Sequence, residues 1–216
     1  MLLIYPCLPS IAQPLLTPSL ITQSIEPTTA EEYLYRAIGF VRKENYQKAI
    51  ADLNKVLQLE PNNVTAYQVR GDAYFDLEEY QNAVSDYTNA LKYEKLALTY
   101  FLRGRAYFQL DQDQQALQDF NSAISLNNDD EDYYYFRGLT YYILDDYQKA
   151  IPDLTVALKS NDEETIASNN KEYIYFYRGS SYFEADQYEK ALADLNQAIS
   201  MTQSNPRFFS IRSLTY

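Results

Sequence analysis

Two columns of charge run through this 216-residue chain. Arginine recurs as Arg36, Arg70, Arg103, Arg137, Arg178 and Arg212, and aspartate as Asp52, Asp86, Asp119, Asp153 and Asp194. A guanidinium presents a planar fork that grips carboxylate or phosphate through two parallel bonds. The arginines therefore read either as a comb for an anionic ligand or as one side of a ladder. In the ladder each Asp pairs with the Arg of the following repeat, which leaves Arg36 over at the N-terminal end. Five Asp and six Arg fit the ladder. Exposed pairs contribute only about 0–1 kcal/mol each, so its role would be register between repeats more than total stability.

Other chemistry finds little support. The chain has no His and a single Cys, Cys7, which removes Ser-His and Cys-His pairs and the commonest metal ligand. Carboxylates cluster at Asp129-Asp130-Glu131-Asp132, Asp145-Asp146 and Asp162-Glu163-Glu164. None forms the Asp-x-Asp-x-Asp-Gly loop of a calcium site, and several sit near helix N-termini, where the helix dipole favours them. No Gly-rich phosphate loop or nucleophile elbow occurs. No catalytic, cofactor-binding or metal-binding residue is assigned, and an enzyme is not expected. The 23 tyrosines lie at fixed offsets that mark core rather than modification or radical chemistry.

The elements that carry these residues follow from a repeated phrase. Tyr-x-x-Arg-Gly-x-x-Tyr occurs at Tyr67–Tyr74, Tyr100–Tyr107, Tyr134–Tyr141 and Tyr175–Tyr182, with degenerate copies at Tyr33–Phe40 and Phe209–Tyr216. Aligning the copies gives repeats 30–63, 64–97, 97–130, 131–164 and 172–205, then a partial repeat or capping helix over 206–216. Each repeat shows two stretches of helical period; in the second, helix A is expected over 65–77 and helix B over 80–93. A small residue at position eight of helix A is expected to face a small residue at position twenty of helix B, which lets the helices approach closely. One such hairpin cannot bury both faces, so the next must cover it.

The aromatic at position four, Gly or Ala at eight, aromatic at eleven and Ala at twenty and twenty-seven are the pattern by which the chain resembles the tetratricopeptide-repeat family, in a Tyr-x-x-Arg-Gly form common in bacterial arrays. The resemblance covers 30–205. It implies an all-α protein, a right-handed α-solenoid of antiparallel helix pairs, and a concave groove lined by positions two, five, nine, twelve and thirteen of the A helices. Among these positions the candidate partner-binding residues are Gln68, Asp72, Phe75, Phe101, Arg105, Phe108, Tyr135, Leu139, Tyr142, Phe176, Ser180 and Phe183. Their aromatic content suggests an apolar or amphipathic partner segment; the other reading is that the rings pack on neighbouring repeats or on the N-terminal tail. The chaperone-carboxylate clamp of some relatives is not expected, since Glu31, Leu34, Tyr35 and Ile38 stand where its basic set would begin. Two departures stand out. Polar residues 161–170 read as an extended loop between repeats four and five. Pro152 falls inside a B helix and should kink it.

A net charge of −12 argues against nucleic-acid partners, which need Lys and Arg on phosphates, and against anionic membranes. Residues 1–25 are apolar and broken by Pro6, Pro9, Pro14 and Pro18. They read as a disordered tail or as the remnant of a signal peptide with a small-x-small site before Gln13, which tilts localisation toward export over cytoplasm. The expected function is a non-catalytic protein–protein interaction scaffold. The alternative is a structural subunit that self-associates through its apolar C-terminal end, where Phe208, Phe209, Ile211 and Leu214 cluster.

Overall fold

The computed structural model describes residues 26–160 and 165–202. Every regular element among them is a helix. Two compact units divide at Lys95 and Leu96. The first holds α1 (Ala30–Val41), α2 (Tyr46–Leu59), α3 (Val64–Asp76) and α4 (Tyr80–Tyr93), each packed on the next. The second holds α5 (Ala97–Gln109), α6 (Asp113–Leu126), α7 (Glu131–Ile143), α8 (Tyr147–Ala157), the short α9 (Ile166–Asn169), α10 (Lys171–Glu184) and α11 (Tyr188–Met201). There α6 packs between α5 and α7, α8 between α7 and α10, and α10 against α11.

The same stop signal ends every described A helix. The residue at position fifteen turns into the left-handed region, with φ of 57° at Glu44, 61° at Glu78, 56° at Asp111, 58° at Asp145 and 57° at Asp186. The next N–H then reaches back to the carbonyl of the position-eleven aromatic, as in Glu79 to Tyr74 at 2.8 Å and Gln187 to Tyr182 at 2.8 Å. The position-fifteen N–H bonds to the carbonyl of position twelve, as in Glu78 to Phe75 at 2.9 Å. This pair of bonds is the Schellman motif, which satisfies carbonyls that the helix end would otherwise orphan. Acidic side chains occupy the place that Gly usually takes. Two of them are used: Tyr147 donates to Asp145 at 2.6 Å and Tyr188 donates to Asp186 at 2.7 Å.

At position eight the small residue admits a close approach of helix B, and at Gly179 it meets position twenty, Ala191, as expected, but the bulk that fills the gap lies at another position. A Cβ built on Gly71 would lie 2.6 Å from the Tyr87 ring, and one on Gly104 would lie 2.7 Å from the Phe120 ring. On Gly138 it would come within 3.0 Å of Leu154, and on Gly179 within 3.1 Å of Leu195 and 3.3 Å of the Ala191 carbonyl. The main neighbour is therefore the large residue at position twenty-four, and the missing Cβ makes room for it. The alanines at position twenty, such as Ala83 and Ala116, are fully buried beside this contact.

Two further expectations meet the structure. Helix α8 runs through Pro152, whose side chain faces solvent, and has 11 residues where α2, α4, α6 and α11 have 14. The segment 161–170 is not simply extended, because its described part forms the turn of helix α9, with Thr165 capping the Ser168 N–H at 3.0 Å.

Candidate partner-binding surface

The Arg and Asp columns pair within hairpins, not between them. Each guanidinium grips the aspartate of its own repeat through Nε and Nη2: Arg36 with Asp52, Arg70 with Asp86, Arg103 with Asp119, Arg137 with Asp153 and Arg178 with Asp194, all at 2.6–2.8 Å. The inter-repeat ladder is thus corrected. Position seven of helix A lies opposite position twenty-three of its own helix B, so the carboxylate within the hairpin takes both Nε and Nη2. The seam is still crossed, but by a neutral acceptor two residues beyond the aspartate. Nη1 of Arg70 donates to Asn54 at 2.5 Å, that of Arg137 to Asn121 at 2.7 Å and that of Arg178 to Thr155 at 3.0 Å. Nη1 of Arg36 donates to Glu26 at 2.9 Å. Arg212 lies outside the described residues.

The repeated phrase now has a physical reading. Its tyrosines flank the guanidinium: Arg103 lies 5.7 Å from the Tyr100 ring centre and 5.8 Å from that of Tyr107, and Arg178 lies 5.7 Å from Tyr175 and 5.9 Å from Tyr182. Such contacts favour the cation and fix its plane. All five aspartates are buried. Burial pushes Asp86 and Asp119 above the usual carboxylate range, against the pull of the arginine each one holds. With their forks closed on carboxylate, these arginines do not form a comb for an outside anion.

Five of the twelve groove candidates are interior. Phe101, Tyr135, Leu139, Phe176 and Ser180 are buried, which corrects their assignment to an open groove. Phe101 sits 4.7 Å from the Tyr133 ring centre, 5.5 Å from Phe136 and 6.1 Å from Phe120. Tyr135 meets Phe136 at 5.2 Å, Phe176 meets Tyr177 at 5.3 Å, and Ser180 donates to the Phe176 carbonyl at 2.8 Å. In this second unit α5 touches α7 and α7 touches α10, so Phe101 and Tyr135 face a neighbouring A helix rather than solvent, while Phe176 packs with Leu195 and Ala198 of α11. Burial pushes the Tyr135 hydroxyl well above its ordinary range.

The remaining candidates are partly exposed. In the first unit these are Gln68, Asp72 and Phe75; Asp72 accepts from the Tyr87 hydroxyl at 2.7 Å, and Phe75 packs edge-on to Tyr80 at 5.2 Å. In the second they are Arg105, Phe108, Tyr142 and Phe183. Arg105 lies over the Phe136 ring at 5.3 Å, Tyr142 meets Tyr147 at 5.8 Å, and Phe183 meets Tyr188 at 5.8 Å. Beside them Ile143 is 52% exposed. Position twelve is thus aromatic in three successive A helices of this unit, next to the acidic turns.

One contact on the inner positions was not read from the sequence. Asp132, at position two of α7, accepts the backbone N–H of Ile166 at 3.0 Å and of Ala167 at 2.6 Å. Burial raises its carboxyl above the usual range while these two bonds pull it down. Only the polar composition of the insert hinted at this contact, and composition carries no direction. Among the described residues no cluster of three or more His, Cys, Asp or Glu could hold a metal ion, and no helix is long and apolar enough to cross a membrane. The apolar C-terminal residues Phe208, Phe209, Ile211 and Leu214 and the N-terminal residues 1–25 lie outside the described residues.

Matches to the tetratricopeptide repeat cover residues 30–63, 64–95, 131–163 and 173–205, and a TPR repeat match covers 104–145. The chain belongs to the tetratricopeptide-repeat family. Its fold is similar to a crystal structure of MamA protein, at 24% identity and TM-score 0.70, over 79% of this chain and 90% of that one. It is also similar to YrrB, described as a TPR protein with an unusual peptide-binding site, at 20% identity and TM-score 0.73, over 85% of this chain and 92% of that one. MamA from Desulfovibrio magneticus RS-1 shows 18% identity and TM-score 0.71, over 82% of this chain and 97% of that one. At these identities the likeness establishes fold alone, the α-solenoid of tetratricopeptide repeats. No curated protein sequence matches this chain.

Proposed function

We propose that this tetratricopeptide-repeat chain is a non-catalytic scaffold that takes a partner segment along positions twelve and thirteen of the A helices in its second unit. The supporting observation is the contrast between two columns of the inner positions. Position five is sealed by Phe101, Tyr135 and Phe176, while Phe108, Tyr142, Phe183 and the more open Ile143 remain within reach of solvent. Asp111, Asp145, Glu184 and Asp186 flank this row and are exposed. A short segment with apolar residues for the rings and Lys or Arg for the carboxylates suits that surface. In the first unit Phe75 holds position twelve, and Gln68 and Asp72 at positions five and nine of the same helix are also partly exposed. YrrB, by its description, has a peptide-binding site, which supports the general role for a relative of this fold.

The test uses peptides selected from a random library against the full chain, with affinity read by fluorescence anisotropy. Ile143→Glu and Phe108→Ser are each expected to weaken binding by at least about tenfold, or about 1.4 kcal/mol. Unchanged affinity in both variants, with the peptide cross-linked to B helices, would remove the inner positions from the proposal.

A further inference from the structure

Helix α9 interrupts the repeat plan, and its contacts show what it does there. The Asp132 carboxylate belongs to the inner positions of α7, yet both its oxygens are spent on the backbone of α9, one on Ile166 and one on Ala167. These are the first two N–H groups of the short helix, which have no partner within it. Thr165 serves the third, through Ser168, and its hydroxyl also bonds to that of Ser160 at 2.7 Å. Ala167 is completely buried among Tyr135, Leu139 and Ile174, and Ile166 packs against the cluster holding Phe101 and Tyr133. A carboxylate taking two successive backbone N–H groups, with a buried side chain beside it, is how such a surface would hold a foreign backbone. Here the chain supplies the occupant itself.

We propose that α9 is an intramolecular strap that covers the position-two end of the inner face over α7 and α10. It thereby confines a bound segment to the position-twelve end. This deepens the scaffold reading and rests on it for the identity of the face. The strap itself can be tested without a partner.

In the full chain, Asp132→Ala removes both acceptors on α7, and Thr165→Ala loosens α9 without touching α7. Hydrogen exchange should show the Ile166 and Ala167 amides protected in the unmodified chain and exchanging about tenfold faster or more in Asp132→Ala. Hydroxyl-radical footprinting should show Tyr135 and Leu139 labelled several-fold more in both variants, with Tyr87 and Phe120 unchanged. Unprotected Ile166 and Ala167 amides in the unmodified chain would overturn the strap. So would faster exchange with Tyr135 labelling unaltered. A loss of Tyr87 protection in one variant marks general unfolding, and the other variant then decides. Library-selected peptides should bind Asp132→Ala at least as tightly as the unmodified chain; weaker binding would make Asp132 a direct partner contact and overturn the proposal. If no peptide binds either protein, the scaffold reading fails and footprinting alone decides the strap.

Discussion

At residue 71 a hydrogen atom stands where any other side chain would run into Tyr87. The same type of residue at Gly39 meets nothing within 4 Å. The two positions give a paired prediction. Gly39→Ala should stabilise by about 0.5–1 kcal/mol through helix propensity. Gly71→Ala should destabilise by about 1–2 kcal/mol, because overpacking against the ring outweighs that gain. Adding Tyr87→Leu should recover much of the loss, since the first repeat already joins Ala37 to Leu53 with both fully buried. Urea unfolding of the single and double variants measures the coupling; simple additivity would mean that the ring is not the obstacle. These columns were legible because a helix places residues at a fixed period. The partner of each arginine was not. For Arg70, Arg103, Arg137 and Arg178 an aspartate lies sixteen residues later and another lies before across the seam, and periodicity alone does not choose between them. The hairpin geometry does, and it leaves the seam to Asn54, Asn121 and Thr155, which drew no notice as single polar letters.

Single elements add their own chemistry. Asp130 caps α7 by accepting the Asp132 N–H at 3.0 Å. Burial, and then the charge of Asp132, push its carboxyl up to about 6. An ordinary unfolded aspartate titrates near 3.9, so the folded chain holds this proton more tightly. The stability linked to it is fully present below about pH 4 and is lost as pH rises through about 6. Asp130→Asn keeps a good cap and removes the crowded charge. It should stabilise the protein at pH 7.5 by about 1 kcal/mol, a figure discounted for partial exposure, and the gain should shrink toward pH 4.5. Denaturant midpoints of both proteins at the two pH values test this; an equal gain at both would assign the effect to something other than titration. Helices of the repeats were readable from pattern, whereas α9 was not. Four residues hold barely one turn, too short for a periodic signal, and the bonds that make the turn come from a residue more than thirty positions away.

For the molecule as a whole, net charge and ion pairs pull in opposite directions. A charge of −12 favours expansion through self-repulsion, and salt screens that repulsion. The Arg–Asp pairs are different, because their aspartates are buried and screen poorly. Raising NaCl from about 0.05 to 0.5 M should therefore raise Tm by about 2–5 °C, read by calorimetry or circular dichroism. A fall in Tm would show that the pairs behave as exposed ones. The hairpin plan within each unit was legible from the repeated phrase. The surface was legible only in outline, since sequence names the inner positions but not which of them a neighbouring helix covers. Phe101 and Phe108 look alike as letters; one is sealed and the other is partly open.

The closed Arg–Asp pair has an evolutionary consequence. Each described hairpin carries its cation and its buried anion together, and a neutral amide or hydroxyl is what the arginine meets across the seam at Asn54, Asn121 and Thr155. Losing or duplicating a whole hairpin by unequal recombination therefore strands no buried charge. A ladder running between hairpins would have left an unpaired charge on the terminal hairpins of every array. Arrays of this design can change length in a single genetic step and remain folded, which gives the lineage a cheap way to lengthen or shorten its recognition surface.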